Sequence, residues 1–462
     1  MRFINRTSNR PGTSVALAVA LLCGTALGAV ALEAPAYAQK DKKEKKAAAP
    51  KLSKGFEKVY GPIVPLVNSP VPDEAALRGA IPALLAAVET ADDKDAAGNV
   101  LLSIGGKFDD YALQLQGLEM MIESGKNADR IGQLYYNGFL LNSNLGNMDA
   151  AREWGRKAAD AGYSFEGRLT DGTTKTVNAG DIRVMTIETY FDEDRYEEGL
   201  AELYGWVKAL DEAGQPIQEN WLRKGFATAF NNQMGQQTAE FGALLLKHYP
   251  SPNVWADAVV GQISFMDYDD AAILDVLRLA RRTGVLSPER IDTSAFEADR
   301  VETMREQIER LYIGYAEESN EILFPNEVNS VLKEGIAKGV LNESDVTVSD
   351  VLKATAERIA DNRGGMADLE RDARTGSKLL TVVAAAESFF DIGDYAKAEE
   401  FYAKALTLPG VDKPVTLTRL GIAQIEQGKY DQARANFAMV EGTRQPLAEL
   451  WTAYAAEKAA GM

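Results

Sequence analysis

Two helix-sized segments that recur at a nearly fixed period constrain this chain more than any other feature. FFDIGDYAKAEEFYAKALTLPG places Gly393, Tyr395, Ala398, Tyr402 and Ala405 at offsets 0, 2, 5, 9 and 12. GIAQIEQGKYDQARANFAMV places Gly428, Tyr430, Ala433, Phe437 and Val440 at the same offsets, 35 residues later. Upstream, Trp221 and Trp255 are 34 residues apart, as are Met234 and Tyr268, whereas Pro250 and Pro288 are 38 apart, so the register has loosened there. Within each segment apolar residues fall at i, i+3, i+4 and i+7, the period of an amphipathic helix. The glycine permits a turn, the small alanine lets two helices approach, and the later aromatic fills the gap toward the next unit. Such units cannot bury their apolar faces alone and are stable only when stacked. The expected fold is therefore all-α, an α-solenoid of helical hairpins.

These residues resemble the tetratricopeptide repeat (TPR) family, well over 378–442, fairly over 219–284 and more weakly over 130–160, where Gly146, Met148, Ala151 and Ala158 are retained. A further degenerate unit is expected at 183–210, with Tyr190 and Tyr196 in its aromatic slots. The resemblance implies stacked helix pairs whose first helices line a concave groove for peptides or protein segments. In that register Tyr136 and Asn144 belong to the groove in one unit and Phe226, Phe230 and Asn231 in another. Aromatic and amide side chains together suit an extended ligand; packing of Phe226 and Phe230 between repeats is the alternative reading. The Lys/Asn clamp that some such repeats use for C-terminal carboxylates is not recognisable. The layout also resembles exported repeat proteins of Gram-negative bacteria.

Two stretches leave the pattern. Residues 162–180 alternate and contain Asp171-Gly172, a strong hairpin-turn signal, so a small β-hairpin is expected between helices. Residues 286–375 keep no repeat register; Ser287-Pro288-Glu289 reads as a helix start, followed by helices near 295–318, 325–338, 349–361 and 366–374. The chain thus divides into N-terminal repeats (55–285), an irregular helical bridge (286–375) and C-terminal repeats (376–462).

Ahead of the repeats, residues 1–38 read as a cleavable signal peptide. Arg2, Arg6 and Arg10 precede an apolar run from Ser14 to Leu32, and Ala36-Tyr37-Ala38 fits a small-residue cleavage site. Leu22 is too bulky before Cys23 for lipid attachment there. Residues 39–54, QKDKKEKKAAAPKLSK, are too polar to bury a core and are expected to form a disordered linker. A periplasmic protein, not integral to the membrane after cleavage, is the expectation.

With 68 Asp and Glu against 50 Lys and Arg, the net charge of −18 argues against nucleic acid, which demands a basic face. One His and one Cys cannot build a zinc site or a disulfide. No phosphate-binding glycine loop, dinucleotide fingerprint or nucleophile elbow occurs. Asp93-Lys94-Asp95 with Gly98 lacks the bidentate Glu of a calcium loop, since Ile104 stands in its place. His248 ends a helix, where it can meet unpaired carbonyls. Asp192, Glu193, Asp194, Glu197 and Glu198 read as a solvated face. No catalytic residue, metal or cofactor is expected. The resulting reading is a non-enzymatic scaffold that binds a protein or peptide in the cell envelope, with a glycan or small-ligand module as the alternative.

Overall fold

The computed structural model describes residues 50–168, 174–294 and 297–461. They form two compact units, 50–202 and 203–461. The signal-peptide reading, Cys23 and most of the linker lie outside the described residues.

In the first unit α1 (Lys54–Val67) and α2 (Glu74–Ala86) precede the hairpins α3 (Ala91–Lys107) with α4 (Tyr111–Glu123) and α5 (Ile131–Asn144) with α6 (Met148–Asp160). After a β-hairpin come α7 (Ala179–Phe191) and α8 (Tyr196–Glu212), within which the units divide. The last residues of the expected linker are held in place. The Lys51 and Ser53 amides donate to Asp92 (3.0 Å) and Asp93 (2.8 Å), and Ser53 caps α1 by accepting from the Phe56 amide. Pro62 and Pro65 mask α1 in the sequence, yet Phe56, Ile63 and Val67 give it one buried stripe.

The second unit continues with α9 (Glu219–Asn231), α10 (Gly235–His248), α11 (Pro252–Phe265) and α12 (Asp270–Arg282). Next come α13 (Ala298–Glu318), α14 (Pro325–Ala337), α15 (Val346–Asn362) and α16 (Met366–Thr375). It ends with α17 (Leu379–Asp391), α18 (Tyr395–Ala405), α19 (Lys413–Ile425), α20 (Tyr430–Phe437) and α21 (Gln445–Ala459). Ser287-Pro288-Glu289 does not start a long helix: only a 3-10 turn forms at Pro288–Arg290, because Ile291 is already extended, with φ −83° and ψ 109°.

Three hairpins share one packing device. A glycine on the first helix receives an aromatic from the second, 16 residues on: Gly138 takes Trp154, Gly225 takes Phe241 and Gly421 takes Phe437. A methyl group added to these glycines would lie 1.8, 2.3 and 2.4 Å from the respective rings. The aromatic face therefore rests on bare backbone, and the helix axes come close together. In α5–α6 the offset used for the C-terminal repeats would assign the aromatic slot to Gly155, but Trp154 fills it. Eight residues separate Gly138 from the turn at Gly146, where seven separate Gly421 from Gly428. Gly155 instead receives Thr186 of α7. The turn glycines Gly393 and Gly428 sit at φ +79° and +73°, a conformation costly for other residues, and Ala398 and Ala433 are fully buried behind them.

The expected β-hairpin is present. β1 (Phe165–Arg168) pairs antiparallel with β2 (Thr174–Val177), Phe165 opposite Val177 and Arg168 opposite Thr174. Asp171-Gly172 itself lies outside the described residues.

The compact units differ from the divisions at 285 and 375. α21 packs on α10 and α12, and α12 touches α19, so helices on both sides of the bridge share one core. Trp255 Nε1 donates to Glu457 at 2.9 Å, and Gln262 Nε2 to the Pro446 carbonyl at 2.9 Å.

Candidate functional site

The five groove candidates fall into two kinds of environment. In the first unit Tyr136 lies in a core cluster with Phe139, Tyr163 and Phe165, its ring 4.9 Å from that of Phe165. Burial, helped by Tyr163, pushes its phenol up to about 12. Asn144 is exposed at the end of α5. In the second unit Phe226 is buried and stacks on half-buried Phe230 at 5.8 Å. Phe230 meets Phe265 of α11 edge-on at 4.9 Å, which links neighbouring hairpins, while Asn231 is exposed. Each set thus pairs core aromatics with a surface amide.

The second unit also holds a buried ionic network that repeat spacing does not reveal. Asp275 and Arg278 of α12 have no exposed side-chain surface and pair at 2.8 Å. Arg278 also grips Glu327 of α14 with two bonds (2.9 and 2.5 Å), its guanidinium 4.6 Å from both the Phe324 and Phe390 rings. Arg419 of α19 reaches Asp275 at 3.4 Å and Glu387 of α17 at 2.6 Å, and Arg444 also donates to Asp275. Burial alone would raise the Asp275 carboxyl, but Arg419, Arg444 and Arg278 outweigh it and hold it below the ordinary range. Glu327 follows suit: burial opposes ionisation, yet Arg278 and the Tyr315 hydroxyl keep its carboxyl low. Burial and nearby Glu387 push the Tyr402 phenol up. Three carboxylates face three guanidiniums, so the group is neutral as a whole and acts as an ionic clasp joining four helices and the turn that precedes α21. Its visible signal in the sequence is charge inside an apolar run, Leu274-Asp275-Val276-Leu277-Arg278-Leu279.

Elsewhere, charge also serves packing. In the first unit, buried Arg152 pairs with Asp149 and Glu193 (2.6 Å each) and lies 4.2 Å from the Tyr190 ring centre. Arg195 bonds Glu198 twice at 2.7 Å, so part of the expected solvated acidic face is paired with arginine. In the second unit His248 Nε2 sits 2.9 Å from Asp211 Oδ1, a carboxylate partner in place of helix-end carbonyls. Lys247 shares that Asp at 2.7 Å; its carboxyl is held low by Lys247, against partial burial, with His248 adding to the effect.

An open groove of about 240 Å³ runs between α13, α14 and α15. Ile313, Ala316, Leu332, Val348 and Val351 line it with Ile322, and Glu317 and Glu321 are the charged residues of its lining. Among the described residues, no group of three or more His, Cys, Asp or Glu is placed to hold a metal ion, and no helix is long and apolar enough to cross a membrane.

The glycine–aromatic contact and the left-handed turns recur at the spacing of the repeats. The hairpins are TPR-like. No family model matches the sequence, and no curated protein matches it. Among solved structures, the chain is similar to Naa15/Naa10 bound to HypK-THB, with 12% identity over 88% of this chain and 68% of that one, at a TM-score of 0.26. It is similar to the P58(IPK) TPR domain at 13% identity, 88% and 99% coverage and a TM-score of 0.20. For the APC/C hetero-tetramer Cut9–Hcn1 the values are 12%, 89% and 92%, and 0.18. Superpositions this loose carry no argument. The TPR-like description rests on the hairpins themselves.

Proposed function

We propose that this chain is a non-enzymatic scaffold that binds a protein or peptide partner in the cell envelope. One observation carries the reading: the helical hairpins joined by Gly138–Trp154, Gly225–Phe241 and Gly421–Phe437 contacts. Rigid stacked hairpins present side chains over a long surface, and that surface suits a macromolecular partner better than a small substrate. The buried charged network around Asp275 supports the same reading, since it is internally neutralised and joins helices. Residues 1–38 support export to the periplasm through a cleaved signal.

Crosslinking in intact cells followed by mass spectrometry tests the proposal. Recurrent recovery of one envelope protein is expected, and repeated failure to recover any specific protein overturns it. N-terminal sequencing of the mature chain is expected to begin after Ala38. A chain that retains residues 1–38 in the cytoplasmic fraction overturns the location.

A further inference from the structure

We propose that the groove between α13 and α15 docks a short, basic amphipathic helix of the partner, a proposal that rests on the scaffold reading above. The groove lies in the stretch where the repeat register is lost, so hairpin spacing does not account for it. Its floor is apolar, formed by Ile313, Ala316, Leu332, Val348 and Val351. Large apolar side chains remain exposed around it: Ile322 at 55%, its neighbour Leu323 at 52%, and Val346, beside the lining residues Thr347 and Val348, at 72%. Clustering of exposed apolar groups at one concavity is what an interaction site looks like, whereas single exposed ones carry no meaning.

Three features select the occupant. A volume of about 240 Å³ exceeds the roughly 150 Å³ apolar cavity that accepts benzene, so one or two large side chains fit. Apart from the turn Asn320–Ile322 the walls are helices whose backbone groups bond within the helix, so no sheet edge is offered to an extended peptide. A helix, with its own backbone satisfied, can dock through side chains alone. The charged residues among the lining are Glu317 and Glu321, both acidic, so a positive flank on the incoming helix is complementary. The chain's own Lys-rich tract at 40–46 carries no large apolar residue to fill the floor, and a second copy of so acidic a chain lacks the charge match.

The test is fluorescence anisotropy on the full chain with a labelled 15-residue Leu/Lys amphipathic helix and its Leu/Glu counterpart. Binding of the Leu/Lys peptide at least about tenfold tighter than the Leu/Glu peptide is expected; equal binding, or none, overturns the proposal. Ile322→Asp separates docking from general attraction to an acidic protein. Docking predicts at least about a tenfold loss, because a charge now meets the apolar side chains. Non-specific attraction predicts unchanged or tighter binding, because the variant is more negative, and that result overturns the proposal. Ile322 is exposed, and circular dichroism checks that the variant folds. Glu321→Lys is expected to weaken the Leu/Lys peptide and to strengthen the Leu/Glu peptide; no change in either overturns the charge assignment. Crosslinking the wild type and Ile322→Asp in cells distinguishes the two readings. Equal recovery of one partner by both removes the groove and leaves the scaffold, whereas failure of the wild type removes the scaffold while the peptide titration still judges the groove.

Discussion

The hairpin α19–α20 and the bridge α13–α15 belong to the same compact unit, yet they are packed to different degrees. In the hairpin, Phe437 rests on Gly421 and stacks 6.3 Å from Trp451 of the next helix, and ten consecutive residues, Thr416–Ile425, are buried. In α13, by contrast, 21 residues bury only Ile308, Tyr312 and Tyr315, and α15 buries only Val348 and Thr355. Between them α14 buries Val328, Val331 and Leu332, and polar bonds tie the flanking helices to it: Tyr312 and Tyr315 donate to Glu334 (3.3 Å) and Glu327 (2.7 Å), and Asn329 donates to Thr355 at 2.9 Å. A hairpin that repeats a steric fit saturates its own surface. The helices that flank α14 bury few residues and keep apolar surface to spare, and the groove lies beside it.

The sharpest way to break this contrast is to cut the ionic clasp through which Glu327 ties the bridge to α12. Asp275→Asn leaves Arg278, Arg419 and Arg444 sharing one fewer buried carboxylate. Removing one member of a buried ionic group costs about 3–5 kcal/mol, because the remaining charge is uncompensated. A urea titration followed by tryptophan fluorescence is expected to show a loss of that size; a loss below about 1 kcal/mol would mean that the clasp contributes nothing. The same group sets an acid limb. Asp275 and Glu327 are held below their ordinary values of 3.8 and 4.5, so their contribution is fully present above those values and disappears as pH falls through the lowered ones. Asp275→Asn is therefore expected to be less stable at pH 7 and to lose less on acidification than the wild type. An unchanged slope of stability against pH below pH 4 would contradict that assignment.

The clasp also shows where reading the sequence stops. Arg278 meets Glu327 49 residues away, Arg419 meets Asp275 at a separation of 144, and Arg444 meets it at 169. No local period carries such pairings. The repeat slots were legible because Gly428, Ala433 and Phe437 recur on Gly393, Ala398 and Tyr402 within one helical pair. The bridge helices were legible too, at nearly their observed limits, since amphipathic periodicity is local. The turn glycine Gly146 lies one residue later within the same 16-residue spacing, and that is enough to put Trp154 in the slot that counting from the turn assigns to Gly155. The five groove candidates Tyr136, Asn144, Phe226, Phe230 and Asn231 were legible only as positions on first helices. Whether Phe230 faces a ligand or Phe265 is decided by the next hairpin, which local spacing does not place.

The second test sharpens the steric half of the comparison. Gly421→Ala puts a methyl group 2.4 Å from the Phe437 ring, so the ring or the helix must move. Overpacking of this kind costs about 1–3 kcal/mol, against roughly 1 kcal/mol of helix preference gained by alanine. A net loss of up to about 2 kcal/mol in thermal or urea denaturation is the expected result. Phe437→Leu in the same chain should recover part of it, because the two substitutions share one space; strictly additive effects would show that the socket is not where the strain falls.

The smallest effect should have the opposite sign. Gly314 lies inside α13, and a methyl group built there meets nothing within 4 Å. With no neighbour to displace, alanine acts through the backbone, by restricting the unfolded chain and favouring helix, which is worth about 0.5–1 kcal/mol. Gly314→Ala should therefore raise the urea midpoint slightly, while the same chemical change at Gly421 lowers it. The pair isolates one variable, whether a neighbouring helix occupies the space above the glycine. If both substitutions destabilise, α13 is packed on a side where the structure shows open space, and the contrast between a saturated hairpin and an underpacked bridge fails with it.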